Sequence, residues 1–278
     1  MPTTRNSKFV IYPMKNQFLT TAAIFCGFGL CLSCAPKAAE PQSATVQMTK
    51  DSIVVNDEVG DIALTIEHPA DTTSALSQTF MEYVSETLGG TYTGKYTSPK
   101  ALIAFYHSGT YKDMKKEYEE LKNVREEGIK LVWNDNFCKM AETGKYITFY
   151  HKSENYLGGA HGMHTFFGVT IRKSDNRRMG WEILRSQYNE ELQKAMRQGL
   201  KDFFEVKTDE ELKTMFFKEE YAYNLPMPQC PPLFTDKGIM FVYNPYEIAP
   251  YAAGMPTFTI PYDKLKNLLT VTAQRLAE

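Results

Sequence analysis

Apolar residues recur along the chain at two periods, and the switches between them outline the elements. Ile62, Leu64 and Ile66 alternate with less apolar neighbours as a half-buried strand does, a shorter apolar run at 53–55 precedes them, and His68-Pro69 ends the second run. Leu76, Phe80, Val84 and Leu88 then fall on one helical face, with Ser74 as its cap and Gly89-Gly90 as its stop. Ser98-Pro99 opens a short helix. Met114, Tyr118, Leu121 and Val124 mark a second, longer one, laced with Lys and Glu on its solvated face and closed by Gly128.

From residue 129 the period becomes that of a sheet. Residues 137–141 and 146–150 flank the hairpin turn Glu142-Thr143-Gly144, and Phe167, Val169 and Ile171 share one face of a strand that runs into Ser174-Asp175-Asn176. Helical spacing returns with Leu192, Met196, Leu200 and Phe204, and Thr208 with Glu211 forms a capping box for a further helix. Four prolines make 225–233 a loop. Residues 238–243 and 257–260 are the last strands, separated by a Pro-bounded loop, and Pro261 takes the first-turn position of a closing helix. Runs linked by hairpins, without strict strand-helix alternation, predict one α+β domain over 52–278 with an antiparallel sheet core and packed helices.

The N-terminus adds an address. Lys15 precedes an apolar run, 18–32, too short for a comfortable membrane span, and the run ends Leu32-Ser33-Cys34. This ending resembles a lipobox, with Cys31 in place of the more usual Leu. Residues 1–33 are therefore expected to be a lipoprotein signal peptide, with Cys34 lipidated and anchoring the chain to a membrane. Ala35 stands where inner-membrane retention would place Asp, which favours the outer membrane, facing the periplasm. Residues 34–51 begin with Ala, Pro, Gln, Ser and Thr and are expected to be a flexible tether. The alternative is a plain signal peptide cut nearby, with a free Cys34.

Composition fits a folded secreted domain: 278 residues, 43% hydrophobic and 23% charged, with a formal net charge of -2. Beyond residue 33 there remain 28 basic and 33 acidic side chains, a net of -5. That balance argues against nucleic acid as a partner and would steer a basic protein toward the chain.

Two loop motifs carry a family resemblance. Phe234, Gly238, the run 246–252 reading YEIAPYA, Gly254, Ile260-Pro261-Tyr262 and Leu265 resemble the C-terminal signature of a bacterial domain family of unknown function. Tyr156-Leu157-Gly158-Gly159-Ala160-His161-Gly162 resembles a second signature of the same family. That family includes the extracellular part of the lysozyme-sensing anti-sigma factor RsiV and the N-terminal domain of the peptidoglycan deacetylase PdaC. The resemblance implies an RsiV-like α+β fold and a ligand that is a lysozyme-type muramidase or peptidoglycan. An anti-sigma role is not expected, because the chain shows no membrane span with a sigma-binding segment.

The candidate site residues are accordingly Tyr156, Gly158, Gly159, His161, Gly162, Tyr246, Glu247 and Tyr251. His161 in a Gly-rich loop either meets a ligand or bonds to backbone to hold a tight turn. Glu247 beside Tyr246 and Tyr251 is either a general acid or an acceptor for loop amides. A glycosidase needs a second carboxylate at a defined distance, and no spacing supplies one. His161 and His164 lie outside any zinc-motif spacing, so no metal or other cofactor is expected. Cys138 and Cys230 are the cysteines left after signal removal and acylation, and they stand either bridged or as two free thiols. The expected function is a non-catalytic envelope binding module with no catalytic residue. The alternative is an envelope glycan hydrolase acting through Glu247 or His161.

Overall fold

The computed structural model describes residues 45–122 and 130–278. The signal segment, Cys34, and Val124 and Gly128 at the expected helix end lie outside the described residues. Two sheets of unequal size carry the architecture. The larger has six strands in sequential order: β1 (Met48–Asn56), β2 (Gly60–Pro69), β3 (Leu131–Glu142), β4 (Tyr146–Tyr156), β5 (Met163–Arg172) and β6 (Arg177–Met179). All neighbours are antiparallel except β2 and β3, which are parallel. A parallel pair needs a crossover, and α1 (Ala75–Thr87) and α2 (Pro99–Leu121) supply it. The smaller sheet is β7 (Leu233–Phe234), β8 (Ile239–Val242) and β9 (Thr257–Ile260), all antiparallel. Helices α3 (Glu190–Phe204), α4 (Asp209–Lys213), α5 (Tyr262–Leu265) and α6 (Val271–Ala277) complete the chain. The α+β class with a mainly antiparallel sheet is thus as expected.

Local sequence explains most boundaries. The Ser74 side chain accepts the Ser77 amide at the start of α1, and the Thr208–Glu211 capping box is present in both directions. Three of the boundaries that differ from expectation bear on how the chain packs. Strand β1 opens at Met48, so residues 48–51 of the expected tether belong to the sheet. The two helices expected between Pro99 and Gly128 share one continuous helix, α2, as far as it is described. Its buried Leu102, Ile103, Tyr106 and Met114 keep a single helical stripe, and Gly109 costs only about 1 kcal/mol in a helix interior, too little to break it. Pro261 caps α5 from just outside rather than occupying its first turn.

Each face of the large sheet has its own core. Leu64, Ile66, Phe137, Phe149 and Ile171 point to one face and pack against Phe80, Met81 and Val84 of α1 and Leu102, Ile103 and Tyr106 of α2. The opposite face carries the small sheet. There Thr148 donates its hydroxyl to the Phe234 carbonyl at 2.7 Å, while the Phe234 amide donates to Thr170 Oγ1 at 3.1 Å. Thr170 must therefore donate its own proton to Thr148, 2.9 Å away, which leaves the buried hydroxyl pair satisfied. The Asn244 side chain fixes the next contact, accepting the Phe166 amide at 2.6 Å and donating to the Phe166 carbonyl at 3.1 Å. These bonds set the loop after β8 against β5, and with it the residues of the C-terminal motif.

Candidate functional site

The two loop motifs, some 85 residues apart in sequence, meet. The glycine motif joins β4 to β5. Within it Gly158 has φ 84, a left-handed conformation that glycine adopts without cost, and a Cβ on Gly162 would lie 2.8 Å from the Asn155 carbonyl oxygen. Gly159 is under neither constraint. The turn so formed presents His161 at the surface, and its ring stacks on Tyr251 at 4.0 Å between centroids and 18° between planes. His161 Nδ1 lies 2.8 Å from the Gly162 carbonyl, so it carries the proton and donates. Nε2 is then an acceptor, and the Tyr246 hydroxyl donates to it at 3.2 Å.

Tyr246 extends the cluster. Its backbone sits at φ 69, uncommon for a residue with a side chain, and its ring lies parallel to Phe217 at 6.4 Å and tilted to Tyr251 at 5.8 Å. A backbone bond from the Phe217 amide to the Ile248 carbonyl, 3.0 Å, holds the segment carrying Phe217 beside the loop. Tyr246 is 47% exposed and Phe217 52%, with Leu157 exposed in the glycine loop. These rings are open to solvent rather than part of either core. Sequence reasoning missed Phe217, because it stands in an unremarkable Met-Phe-Phe run remote from both motifs.

The remaining expected residues have structural places. Glu247 is committed: one carboxylate oxygen accepts the Asn244 amide at 2.9 Å and the other accepts the Gln229 amide at 3.0 Å. It pins the loop, the second of the two roles its sequence position allowed. Tyr156 ends β4 opposite Val132, and its ring makes none of the cluster's stacking contacts. Cys138 and Cys230 both stand as free thiols. Cys138 donates to Asn136 Oδ1 at 3.2 Å, whereas Cys230 is buried with Phe166, Leu233 and Val242, and burial pushes its thiol up to about 12. Among the described residues no cluster of three or more His, Cys, Asp or Glu is placed to hold a metal ion, and no helix is long and apolar enough to cross a membrane.

Residues 181–263, which include the loop of Tyr246 and Tyr251, match a known family model. The family is DUF3298, of unknown function. A DUF3298-family protein of Bacteroides fragilis has a similar solved structure, with 20% identity, a TM-score of 0.65, and coverage of 84% of this chain and 98% of that one. A DUF3298-family protein of Pseudomonas aeruginosa is similar at 15% identity and a TM-score of 0.54, over 83% of this chain and 97% of that one. No curated protein matches the chain. At these identities the likeness establishes the α+β fold, which extends well beyond the DUF3298 match into the large sheet.

A second constellation lies on the helix-covered face of that sheet. Asp135 on β3 and His151 on β4, 6% and 5% exposed, are joined at 2.7 Å through His151 Nε2, and Trp133 donates its indole N–H to the other Asp135 oxygen at 2.8 Å. None of these three was singled out by sequence reasoning. A signal existed: Trp133, Asp135 and Phe137 alternate on β3, and His151 follows Ile147 and Phe149 at period two, so polar residues occupy positions that point at the core.

Proposed function

We propose that the chain is a non-catalytic binding module of the cell envelope, anchored through lipid on Cys34, that holds envelope glycan on the aromatic face built by Phe217, Tyr246, Tyr251 and His161. The observation that carries this reading is the convergence of both motifs on exposed stacked rings, with the adjacent carboxylate, Glu247, already occupied by two backbone amides. Aromatic faces stack on the apolar faces of sugars, and the Tyr hydroxyls bond to their rims. The resemblance of the motifs to the lysozyme-sensing and peptidoglycan-modifying proteins supports an envelope ligand. A basic muramidase is the second reading, favoured by the net charge of -5 beyond residue 33.

Calorimetry of the protein with soluble muropeptides and, separately, with lysozyme distinguishes the two, because lysozyme binding driven by charge weakens steeply with salt and sugar stacking does not. A parallel glycan-release assay tests the hydrolase alternative. Reducing ends that vanish in Glu247→Gln or His161→Ala would overturn the binding-module reading. Metabolic palmitate labelling with fractionation tests the anchor, and a wild-type chain without label would remove Cys34 from the proposal.

A further inference from the structure

The small sheet covers only part of the face of the large sheet on which it sits. Phe166 packs there with Cys230, Leu233 and Val242, and beyond it the same face of β3, β4 and β5 stays open as a groove of about 420 Å³. Its floor is two neighbouring cross-strand rows. Asn136 pairs with Lys152 and Lys152 with Phe166 in the first, and Asn134 pairs with Glu154 and Glu154 with His164 in the second. Cross-strand partners point to one face, so these polar side chains stand together, and two strand spacings of about 4.8 Å make each row about 10 Å across. The groove is distinct from the cavity of about 390 Å³ between the large sheet and the ends of α1 and α2, which Trp133, Asp135 and His151 line from the opposite sheet face.

The polar groups of the groove are unused. Among the described residues the side chains of Asn134, Glu154 and His164 make no hydrogen bond and no ion pair. Asn136 uses only its Oδ1, which accepts from Cys138, so its NH2 is free. Lys152 and Glu154 leave β4 on the same face two residues apart, yet they do not pair, and the ammonium lies 5.4 Å from the centre of the Tyr150 ring. Lys152, Glu154 and His164 are exposed and the two asparagines half-buried, so solvent reaches all five. The groove carries one Lys and one Glu, and charge alone selects neither an anion nor a cation. Free donors and acceptors side by side suit a ligand rich in both, such as the hydroxyl and amide groups of a sugar, which replace the water now serving them.

Both loop motifs run into this groove. His164 follows the glycine motif by two residues, and Met255, which also lines the groove, directly follows Gly254 of the C-terminal motif. The loops that present His161 and Tyr251 therefore carry the rim of the groove as well. We propose that the groove continues the aromatic face as a second binding region for the same glycan, taking the uncharged, hydroxyl- and acetamido-bearing sugars next to the one stacked on the rings. In it Lys152 and the Asn136 NH2 donate to sugar oxygens, Glu154 accepts from sugar hydroxyls, and Asn134 meets an amide as donor and acceptor at once. This inference rests on the glycan reading of the aromatic face and adds to it the length of the ligand, a chain of several sugars rather than one.

Calorimetry with the dimer and the tetramer of N-acetylglucosamine reads that length. The wild type should bind the tetramer at least about tenfold more tightly than the dimer, well above the gain that a longer chain makes by offering more equivalent placements. The Asn134→Ala, Glu154→Ala double variant removes side chains that no other described residue uses, so its thermal unfolding should match wild type while its affinity for the tetramer falls to that for the dimer. Tyr246→Ala with Tyr251→Ala should instead weaken the binding of both oligomers. The outcomes separate the two readings. A wild type that binds dimer and tetramer equally, or a groove variant that keeps the tenfold gain, overturns the groove and leaves the aromatic face standing. A wild type that binds neither oligomer overturns both.

Discussion

The aromatic cluster and the His151 cavity both hold a histidine with one nitrogen fixed by a hydrogen bond, yet they are opposites in construction. His161 is exposed, its Nδ1 proton goes to a backbone carbonyl of its own loop, and its neighbours are rings that face solvent. His151 is buried, its Nε2 proton goes to a carboxylate on the next strand, and its other nitrogen has no partner. In the first region the loop conformation carries the cost and the side chains are available. In the second the side chains are locked by packing, and the unpaired atom carries the cost. Losing a group should therefore unsettle the fold in the cavity and leave it nearly untouched at the surface.

Asp135→Ala makes the strongest demand on that contrast. It strips the buried His151 N–H and the half-buried Trp133 N–H of their acceptor together, and about 1–3 kcal/mol for each orphaned donor makes a loss of roughly 3–4 kcal/mol, read by denaturant unfolding. A loss below about 1 kcal/mol would mean that the cavity is wet and loosely held. Asn244→Ala comes next, at about 2–3 kcal/mol, since the Phe166 amide and carbonyl would both lose a buried partner. It should also release Tyr246 from His161, so the aromatic cluster should lose its order along with the stability.

Glu142, on the same strand as Asp135, extends the comparison to charge. Burial would push its carboxyl up, but bonds from Lys173, the Val46 amide and Lys139 outweigh burial and hold it below the ordinary value of 4.5. A depressed carboxyl stabilises the fold fully above its unfolded value, and the contribution is lost as pH falls through the lower folded one. Glu142→Gln should cost about 1–2 kcal/mol at neutral pH and flatten the acid side of the stability profile below pH 4.5. A profile as steep as the wild type's would assign acid sensitivity elsewhere. The smallest effects belong to the surface loop. Gly158→Ala must place a side chain at φ 84 and should cost about 1 kcal/mol, whereas Gly159→Ala meets nothing within 4 Å and should be close to neutral. Equal losses at both would show that the loop is tighter than its geometry states.

How much could be read from the chain alone follows the same division. The cluster is spelled by short runs, Gly-Gly-Ala-His-Gly and Tyr-Glu-Ile-Ala-Pro-Tyr, and the hairpins and caps are equally local, so sequence found His161, Tyr246 and Tyr251 and most element boundaries. The cavity draws two or three residues from each of four strands, from the end of α1 and from α2. Its assembly depends on the parallel pairing of β2 with β3, which no local pattern announces. Phe217 was missed for a related reason, since only the fold sets it beside Tyr246. The merging of two expected helices into α2 shows the third limit, because tertiary burial of one stripe overrode the weak break at Gly109.

The central claim, that the two motifs converge to make a ligand surface and not merely a stable loop, is met most directly by one calorimetric comparison. Wild type and the Tyr246→Ala, Tyr251→Ala double variant are titrated with the same soluble muropeptide, with thermal unfolding recorded for both. The account predicts that the variant's affinity falls at least about tenfold, since each stacked ring contributes about 0.5–1.5 kcal/mol beyond the area it buries, while its unfolding stays within a few degrees of wild type. Equal affinity in the two proteins, or a loss of binding that only follows a loss of folding, would contradict it.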